Sequence, residues 1–294
     1  MKSGSCGAAV PDADFRGAFR QPRQGSMPQR FRDSRLLDAL GTLCSQAGAR
    51  IMSHYGASAT MKADGSPVTA ADNEAEEIIL AGLSTLLPGV PVLAEESAAA
   101  GRLPASTDLM IAVDPMDGTR EFLAGNGEFT VNIGLVSAGV PIAGLVYAPA
   151  RKRLWIGRGD TAEAMMIEPG AGIDRASERS AIRTRALPPE GALALVSRSH
   201  PDVGGEAYLA ERHVTRRLAM GSSLKFAVIA EGGADVTVRF ASITEWDIAA
   251  GHAVLAGAGG RITSPEGAPL VYGRADKAFR TDAYVAASGA FGAV

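Results

Sequence analysis

The 294-residue sequence has few cysteines, no long apolar run and no excess of basic residues. Cys6 and Cys44, its only cysteines, lie far apart and fit no metal-ligand spacing, so a disulfide framework is excluded and a reducing compartment is favoured. No apolar stretch approaches the roughly 18 to 20 residues of a membrane-spanning helix. The N-terminal residues lack the apolar segment of a signal peptide. We therefore expect a cytoplasmic protein without a transmembrane segment.

The charge balance argues against binding to nucleic acid. Lysine and arginine number 29 and acidic residues 32, which gives a formal net charge of −3. Proteins that bind duplex nucleic acid usually show a basic excess. Hydrophobic residues make up 46% of the chain, as in an ordinary globular protein, and the length is near that at which one core divides into two.

Composition and pattern divide the chain into three parts. Residues 1–30 are rich in Gly, Ser, Gln, Pro and Arg without periodicity, which predicts a flexible N-terminal extension. Residues 31–157 read as two helices followed by consecutive strands, an N-terminal α+β subdomain. Residues 158–294 alternate strands and helices after a polar, loop-like start at 158–190, which predicts a C-terminal α/β subdomain.

The first half contains two predicted helices and five predicted strands. Apolar residues recur every three or four positions from Leu36 to Tyr55, and Thr69-x-x-Asp72 has the form of a capping box that begins the second helix. Strands are predicted at residues 90–94, 109–113, 129–136, 142–147 and 152–157. In the second half, strands are predicted at 193–197, 214–219, 236–240, 261–263 and 284–288, and helices at 205–213, 222–231 and 245–258.

The most informative stretch is residues 114–119, Asp-Pro-Met-Asp-Gly-Thr, which follows the apolar run 109–113. Two carboxylates this close repel each other unless a positive charge lies between them. Pro115 restricts Asp114 to an extended conformation, and the carbonyl of Met116 is free to turn inward. Carboxylate and carbonyl oxygens suit Mg²⁺ and do not suit Zn²⁺. The simpler alternative is a polar turn, because Asp and Gly are common in turns.

A covalent phosphatase chemistry is also considered for this stretch. Phosphatases of the haloacid dehalogenase type, which form an aspartyl-phosphate, have a strand that ends in Asp-x-Asp-Gly-Thr. Their two aspartates lie two residues apart, whereas Asp114 and Asp117 lie three apart. The extra residue turns the second carboxylate in another direction, which argues against a covalent route.

Two other acidic residues are candidate partners of this stretch. Glu95 follows a short apolar run, where the alternative is a solvated acidic loop. Asp247 lies beside Trp246 at the start of a helix rich in small residues. Thr244-x-x-Asp247 also has the form of a capping box, which gives Asp247 a competing structural role.

Taken together, these segments resemble the inositol monophosphatase family of magnesium-dependent, lithium-sensitive phosphatases. The two family signatures are matched by residues 114–119 and 246–251, and the resemblance extends from about residue 36 to 289. Within the family the chain resembles most the branch that acts on 3′(2′),5′-bisphosphate nucleotides in sulfur assimilation. The segments that carry this finer resemblance are residues 64–72, 127–132, 197–200 and 221–226.

The resemblance implies a fold and a set of site residues. The expected fold is a layered α-β-α-β-α sandwich, of mixed α+β and α/β class, with a metal site between the two subdomains. Two or three Mg²⁺ ions would be bound by Glu95, Asp114, Asp117, Asp247 and the carbonyl of Met116. Catalysis would use Asp72, Thr119 and Glu95, with Asp72 and Thr119 orienting the attacking water. The scissile phosphate would be held by Asp117, Gly118, Thr119 and Asp247.

The substrate implied is a nucleotide bisphosphate. The branch hydrolyses adenosine 3′,5′-bisphosphate to AMP, and we also consider 3′-phosphoadenylyl sulfate as a substrate. Contacts to the nucleotide and its other phosphate are expected from His200, Ser222, Lys225 and Arg239, although Ser222 could instead cap a helix and Arg239 could be a surface charge. The alternatives are an inositol-1-phosphate or fructose-1,6-bisphosphate phosphatase, or a non-catalytic phosphate or metal sensor. The resemblance leaves open a homodimer and a peripheral contact with the inner membrane.

Overall fold

A computed structural model describes Phe31 and residues 33–56, 60–61, 67–104 and 107–291. The predicted extension at residues 1–30 lies outside these residues, as do positions 64–66 of the nucleotidase-like segment. None of the helices in the described part of the chain is both long and apolar enough to cross a bilayer.

The described chain contains two long helices, several short ones and two main sheets. The helices are α1 Ser34–Ser53, α2 Ala70–Leu86, α3 Glu95–Ala99, α4 Thr119–Leu123, α5 Val203–Glu211, α6 Leu224–Ala230 and α7 Glu245–Gly257. The strands of the first half are β1 Thr60–Met61, β2 Pro67–Val68, β3 Val92–Ala94, β4 Leu109–Asp117, β5 Thr130–Ser137, β6 Val140–Ala148, β7 Arg153–Arg158, β8 Thr161–Met166 and β9 Ser177–Ala181. Those of the second half are β10 Leu193–Ser197, β11 Arg216–Met220, β12 Val236–Arg239, β13 Ile243–Thr244, β14 Arg261–Thr263, β15 Arg280–Thr281 and β16 Tyr284–Ala287.

The first main sheet has seven strands in the order β3-β4-β5-β6-β7-β8-β9. All neighbours are antiparallel except β3 and β4. The second has five strands in the order β11-β10-β12-β16-β14, with parallel pairs on both sides of β10. The remaining strands form two small antiparallel pairs, β1 with β2 and β13 with β15.

The helices cover these sheets in layers. Helices α1 and α2 pack on one face of the seven-stranded sheet, where Ile79 and Ile133 share one apolar core. Helices α6 and α7 lie between the two sheets in a second core. On the far side of the five-stranded sheet, Leu209 of α5 packs with Val236 and Val285. The predicted α-β-α-β-α sandwich is therefore confirmed.

Two sequence interpretations are wrong, one on residues 158–190 and one on the end of β4. Residues 158–190 are not a polar loop, because β8 and β9 lie within them. The buried residues of β8 are Ala162, Ala164 and Met165, which do not alternate along the strand, and every residue of β9 is exposed, so neither strand carries a strong apolar pattern. As a result the seven-stranded sheet continues past residue 157, where the division into subdomains was expected. Strand β4 also continues through the motif and ends at Asp117, not at Val113.

Helix α7 is seated on a row of glycines that crosses the seven-stranded sheet. Gly134 of β5 pairs with Gly144 of β6, which pairs in turn with Gly157 of β7. A Cβ atom on Gly134 would lie 2.8 Å from the backbone nitrogen of Ala250, and one on Gly144 or Gly157 would overlap the α7 backbone. The row therefore lets the helix backbone rest directly on the strands, closer than side chains would allow.

His252, on the same helix, is a buried residue of the layer between the sheets. Its Nδ1 lies 2.9 Å from the hydroxyl oxygen of Tyr272. Burial lowers the pKa of His252 from 6.5 to about 4, so the ring is neutral at pH 7. Protonation of this ring therefore favours the unfolded chain, in which His252 has its ordinary pKa.

We predict that Gly144→Ala destabilises the protein by about 1 to 3 kcal/mol or more, because the added methyl group must push α7 off the sheet. Thermal unfolding measures the change. Gly191→Asn is the control: Gly191 has φ +90° and open space around it, and asparagine tolerates this conformation. A Gly144→Ala protein as stable as wild type would show that this contact does not seat the helix.

We also predict that wild type loses stability relative to His252→Gln as the pH falls from about 6.5 to 4. The folded-state pKa of about 4 is below the ordinary 6.5, so the unfolded chain takes up the proton first. At 1.36 kcal/mol per pKa unit, the loss approaches about 3 kcal/mol near pH 4. Denaturant unfolding of both proteins at each pH measures it, and parallel pH profiles would contradict it.

Candidate active site

The phosphatase-like motif lies on a β-bulge in strand β4. Asp114 pairs with Asn132 of β5, and Asp117 pairs with Thr130, so the two residues between the aspartates on β4 oppose the single residue Val131 on β5. Because positions 130 and 132 lie on the same side of β5, the bulge brings both aspartates to one face of the sheet. The three-residue spacing seen in the sequence thus has a structural reason, and Pro115 lies where the ladder is interrupted.

Gly118 makes the turn from this strand into α4. Its φ of +98° lies in the left-handed region, which side chains rarely adopt. A Cβ atom there would lie 2.9 Å from the carbonyl oxygen of Glu128 and 3.2 Å from the Cβ of Ser222. Glycine is therefore required both by conformation and by the close approach of two other segments.

Asp72 and Thr119 are brought together although 47 positions separate them. The hydroxyl of Thr119 donates to Asp72 Oδ1 at 3.2 Å. The other oxygen of Asp72, Oδ2, accepts from the backbone N–H of Thr69 at 2.7 Å and from its hydroxyl at 2.8 Å. The predicted capping box is therefore present, and it leaves one carboxylate oxygen of the buried Asp72 for Thr119.

Four carboxylates meet at this face, from three different elements. Glu95 begins α3, Asp114 and Asp117 lie on β4, and Asp247 lies in the first turn of α7. Burial, followed by the charges of Glu95, Asp117 and Asp247, raises the pKa of Asp114 well above its usual range. Burial and the charges of Asp117 and Glu95 raise the pKa of Asp247 to about 7. These groups are close enough to repel one another strongly.

The capping role considered for Asp247 is also present. The backbone N–H of Thr244 donates to Asp247 Oδ2 at 3.3 Å. The carboxylate nevertheless lies near Asp117 and Glu95, whose charges act on it. Asp247 therefore serves both the helix start and the carboxylate cluster, as Asp72 serves both its helix and Thr119.

The donor set fits a hard divalent cation. Carboxylate oxygens dominate it, and the Met116 N–H donates to Asp114 Oδ1 at 3.0 Å. The Met116 carbonyl oxygen, 3.5 Å from the Thr119 hydroxyl oxygen, would add a further donor. Within the described residues, no three acidic, histidine or cysteine side chains converge on one point closely enough to hold an ion by themselves. Mg²⁺ does not need such a cage, because it usually takes one or two carboxylates together with water and phosphate oxygens.

Ser223 links this cluster to the other half of the molecule, and sequence reasoning missed it. Asp117 Oδ2 accepts from the Ser223 N–H at 2.5 Å, and the Ser223 hydroxyl oxygen lies 2.6 Å from the same atom. That hydroxyl also lies 2.6 Å from the carbonyl oxygen of Asp247, and Asn132 donates to it at 3.0 Å. Burial raises the pKa of Asp117, while Ser223 and the charge of Lys225 act to lower it. The only sequence signal was the serine pair before a helix.

A cavity of about 250 Å³ opens beside the cluster. It is bordered by six residues expected to form the site: Asp117, His200, Ser222, Lys225, Arg239 and Asp247. Gly118 approaches this cavity through its contact with Ser222. The structure thus brings the proposed phosphate motif and the proposed nucleotide contacts into one continuous site.

Two cations and a histidine border the cavity, together with carboxylates that include Asp202 and Glu206. Lys225 Nζ donates to the Ser222 carbonyl at 2.7 Å, and burial lowers the pKa of this lysine. Arg239 has a buried Nε without a hydrogen-bond partner among the described residues. His200 lies at the exposed rim, where partial burial and the charges of Arg120 and Arg239 lower its pKa. A bound anion would reduce the repulsion among these basic groups and would accept a hydrogen bond from Arg239 Nε.

Comparisons with known proteins agree with this geometry. The sequence pattern of the inositol monophosphatase family matches residues 33–288. The chain is 42% identical over 242 residues to the 3′(2′),5′-bisphosphate nucleotidase CysQ of Escherichia coli K12, which covers 81% of this chain and 94% of that protein. The crystal structure of CysQ from Bacteroides thetaiotaomicron superposes with a TM-score of 0.69 at 33% identity, over 87% of this chain and 97% of that one. A histidinol-phosphatase of Mycobacterium tuberculosis is 34% identical over 70% of this chain and 77% of its own length.

We predict that Asp114→Asn stabilises the protein in buffer containing a chelator at pH 8. The folded-state pKa of Asp114 is raised, so wild-type stability falls as the pH rises above about 4, and the amide removes this cost. We expect the melting temperature to rise by at least about 2 °C, which corresponds to roughly 1 kcal/mol. The gain should shrink toward pH 4.5. A lower melting temperature at pH 8 would show that the carboxylates do not repel one another.

Proposed function

The chain belongs to the inositol monophosphatase family, and we propose that it is a 3′(2′),5′-bisphosphate nucleotidase that hydrolyses adenosine 3′,5′-bisphosphate to AMP and phosphate. The likeness to nucleotidases over most of both chains supports this activity. The observation that carries the substrate is the cavity beside the motif, which is bordered by Lys225 and Arg239. A substrate with two phosphates fits this arrangement. The metal bound by the carboxylate cluster would hold the scissile phosphate, and the cationic side chains would hold the other.

We propose Mg²⁺ as the cofactor, with two or three ions held by Glu95, Asp114, Asp117, Asp247 and the carbonyl of Met116. When bound, Mg²⁺ would supply positive charge to the phosphate and lower the pKa of a water molecule. The raised pKa values of Asp114 and Asp247 support a site that is completed by a cation, because a cation would relieve the repulsion.

The chain's own groups then act on water and phosphate. Because the Thr119 hydroxyl donates its hydrogen to Asp72, its oxygen is free to accept one from an attacking water. Asp72 is held in place by Thr69 and can receive the proton through Thr119. Glu95 would hold the same water from the α3 side. Gly118 and Thr119 would position the scissile phosphate, together with Asp117 and Asp247.

The cavity would select the rest of the substrate. We assign Lys225 and Arg239 to the second phosphate, since both are cationic and Arg239 Nε is buried without a partner in the described part of the chain. His200 and Ser222 would contact the nucleotide at the rim. The sulfate donor 3′-phosphoadenylyl sulfate carries the same 3′-phosphate and is proposed as a second substrate, which places the reaction in cytoplasmic sulfur assimilation. A homodimer and a peripheral membrane contact stay predictions.

The test compares kcat/KM for adenosine 3′,5′-bisphosphate and inositol 1-phosphate with Mg²⁺ present, and then with Li⁺ added. We expect at least a tenfold preference for the bisphosphate, because only that substrate has a second phosphate for Lys225 and Arg239. Lithium should inhibit turnover of both. A preference for inositol 1-phosphate would overturn the substrate assignment and favour the alternative phosphatase activity.

Asp117→Ala serves as the control for the metal assignment in this assay. Loss of a carboxylate that faces both the motif and the cavity should reduce turnover by about 1,000-fold or more at saturating Mg²⁺, as expected when several kcal/mol of transition-state stabilisation are lost. Circular dichroism should show an unchanged fold. Retained turnover would contradict the metal assignment. Absence of turnover in wild type itself would instead favour a protein that only binds its ligand.

A further inference from the structure

Glu128 is a buried carboxylate at the junction of the two sheets, two residues before β5. Its Oε2 accepts from Arg198 Nε at 3.0 Å and from the Gly221 N–H at 2.8 Å. Its Oε1 accepts from Arg198 Nη2 at 3.0 Å, and Arg151 lies 3.5 Å from the same atom. One side chain of the first sheet thus binds three donors on two segments of the second half, besides Arg151.

These donors lie where neighbouring strands of the five-stranded sheet end. Arg198 follows β10 and Gly221 follows β11, and Arg198 Nη2 also donates to the carbonyl of Ala219 at 2.8 Å. The Arg198 pair is bidentate, which fixes orientation as well as distance. Glu128 therefore fixes the ends of both strands relative to the seven-stranded sheet.

The carboxylate stays charged in this setting. Burial raises the pKa of Glu128, but the hydrogen bonds from Arg198 and Gly221 and the charges of Arg198 and Arg151 bring it below its usual range. A neutral side chain of the same shape would keep the volume and lose the charge-assisted hydrogen bonds.

Both sides of the substrate site continue from these contacts. His200 lies two residues after Arg198, and Ser222 directly follows Gly221; both border the cavity. On the other side, the backbone of Glu128 lies against Gly118, where a Cβ atom would be 2.9 Å from the Glu128 carbonyl oxygen. Glu128 thus lies between the phosphate motif and the cavity, and it does not border the cavity itself.

We propose that Glu128 is a positioning residue that sets the separation between the phosphate motif and the cavity wall, and so selects bisphosphate over monophosphate substrates. The proposal rests on the proposed function. A substrate anchored at both ends loses contact when that separation changes, whereas a monophosphate anchored only at the motif does not. Misplacement by about 1 Å can cost about 100-fold in rate.

The test uses Glu128→Gln in the full chain with adenosine 3′,5′-bisphosphate and adenosine 3′-monophosphate, which differ only in the 5′-phosphate. We expect kcat/KM for the bisphosphate to fall by 10- to 100-fold, mainly through KM. The value for the monophosphate should fall by less than threefold. An equal loss for both substrates, or no loss, would overturn the proposal.

Glu231→Gln is the matched control. Arg153 of β7 donates to Glu231 Oε1 at 3.2 and 2.6 Å, so this pair also joins the seven-stranded sheet to the second half, at the far end of α6. Neither residue borders the cavity. Loss of the Arg153–Glu231 pair should lower stability about as much as Glu128→Gln does. It should leave the ratio of kcat/KM for the two substrates unchanged. A changed ratio in this control would assign the effect to general loosening of the sheets and overturn the proposal.

A binding measurement separates positioning from turnover. With a chelator present, calorimetry should show that Glu128→Gln binds adenosine 3′,5′-bisphosphate at least tenfold more weakly than wild type, and that Glu231→Gln does not. Arg198→Gln, at a more exposed site, removes the same pair if Glu128→Gln fails to fold. It should show the same selective loss, and a normal substrate ratio in it would overturn the proposal.

The wild-type values distinguish this proposal from the one on which it depends. If wild type shows no preference for the bisphosphate, the proposed function fails, and the proposal on Glu128 fails with it. If wild type prefers the bisphosphate and Glu128→Gln keeps the whole preference, only the role of Glu128 is wrong.

Discussion

The contact between helix α7 and the glycine row on β5, β6 and β7 is the constraint on which the rest of this structure depends. Gly134, Gly144 and Gly157 are in register, so one helix can cross three strands with its backbone against theirs. This crossing fixes where α7 begins, and therefore where Asp247 meets the motif on β4. It also fixes α6, because Gly251 of α7 lies against the ring of Phe226. The position of the second half of the site thus follows from small residues of the first.

That rigidity supports an arrangement that is unfavourable by itself. Burial and the charges of neighbouring carboxylates raise the pKa values of Asp114 and Asp247, and burial raises that of Asp117. A folded chain that gathers such groups loses stability as they ionise. The apolar cores on both sides of the seven-stranded sheet offset this cost. Asp114 and Asp117 lie on β4 and Asp247 lies on α7, so rotation of one side chain cannot move all three carboxylates apart.

Sequence reasoning identified most of the local features correctly and missed contacts between distant segments. The spacing of Asp114 and Asp117 indicated non-covalent chemistry, and Thr69-x-x-Asp72 predicted a helix start that the structure contains. The bulge that gives this spacing its meaning depends on pairing with β5, which no local pattern encodes. Strand β9 could not be found because all its residues are exposed.

The same distinction applies to the site. Glu95, Asp247, Lys225 and Arg239 were identifiable by residue type and by resemblance, and the structure brings them to one region. Their assignment as ligands and substrate contacts stays a proposal. Ser223 and Glu128 were missed because their importance lies in hydrogen bonds to segments about 70 to 106 positions away. A residue of that kind carries no signature within its own segment.

The two oxygens of Asp72 have separate partners, with Thr69 on one and Thr119 on the other. Thr69 does not border the cavity, yet the orientation of Asp72 depends on it. If Asp72 orients the attacking water as proposed, substitutions at position 69 affect turnover as well as the helix start, and substitutions at positions 69, 72 and 119 should be epistatic. A mutational survey that scored each position alone would classify Thr69 as a helix cap. It would miss that the residues tolerated at position 69 depend on those at positions 72 and 119.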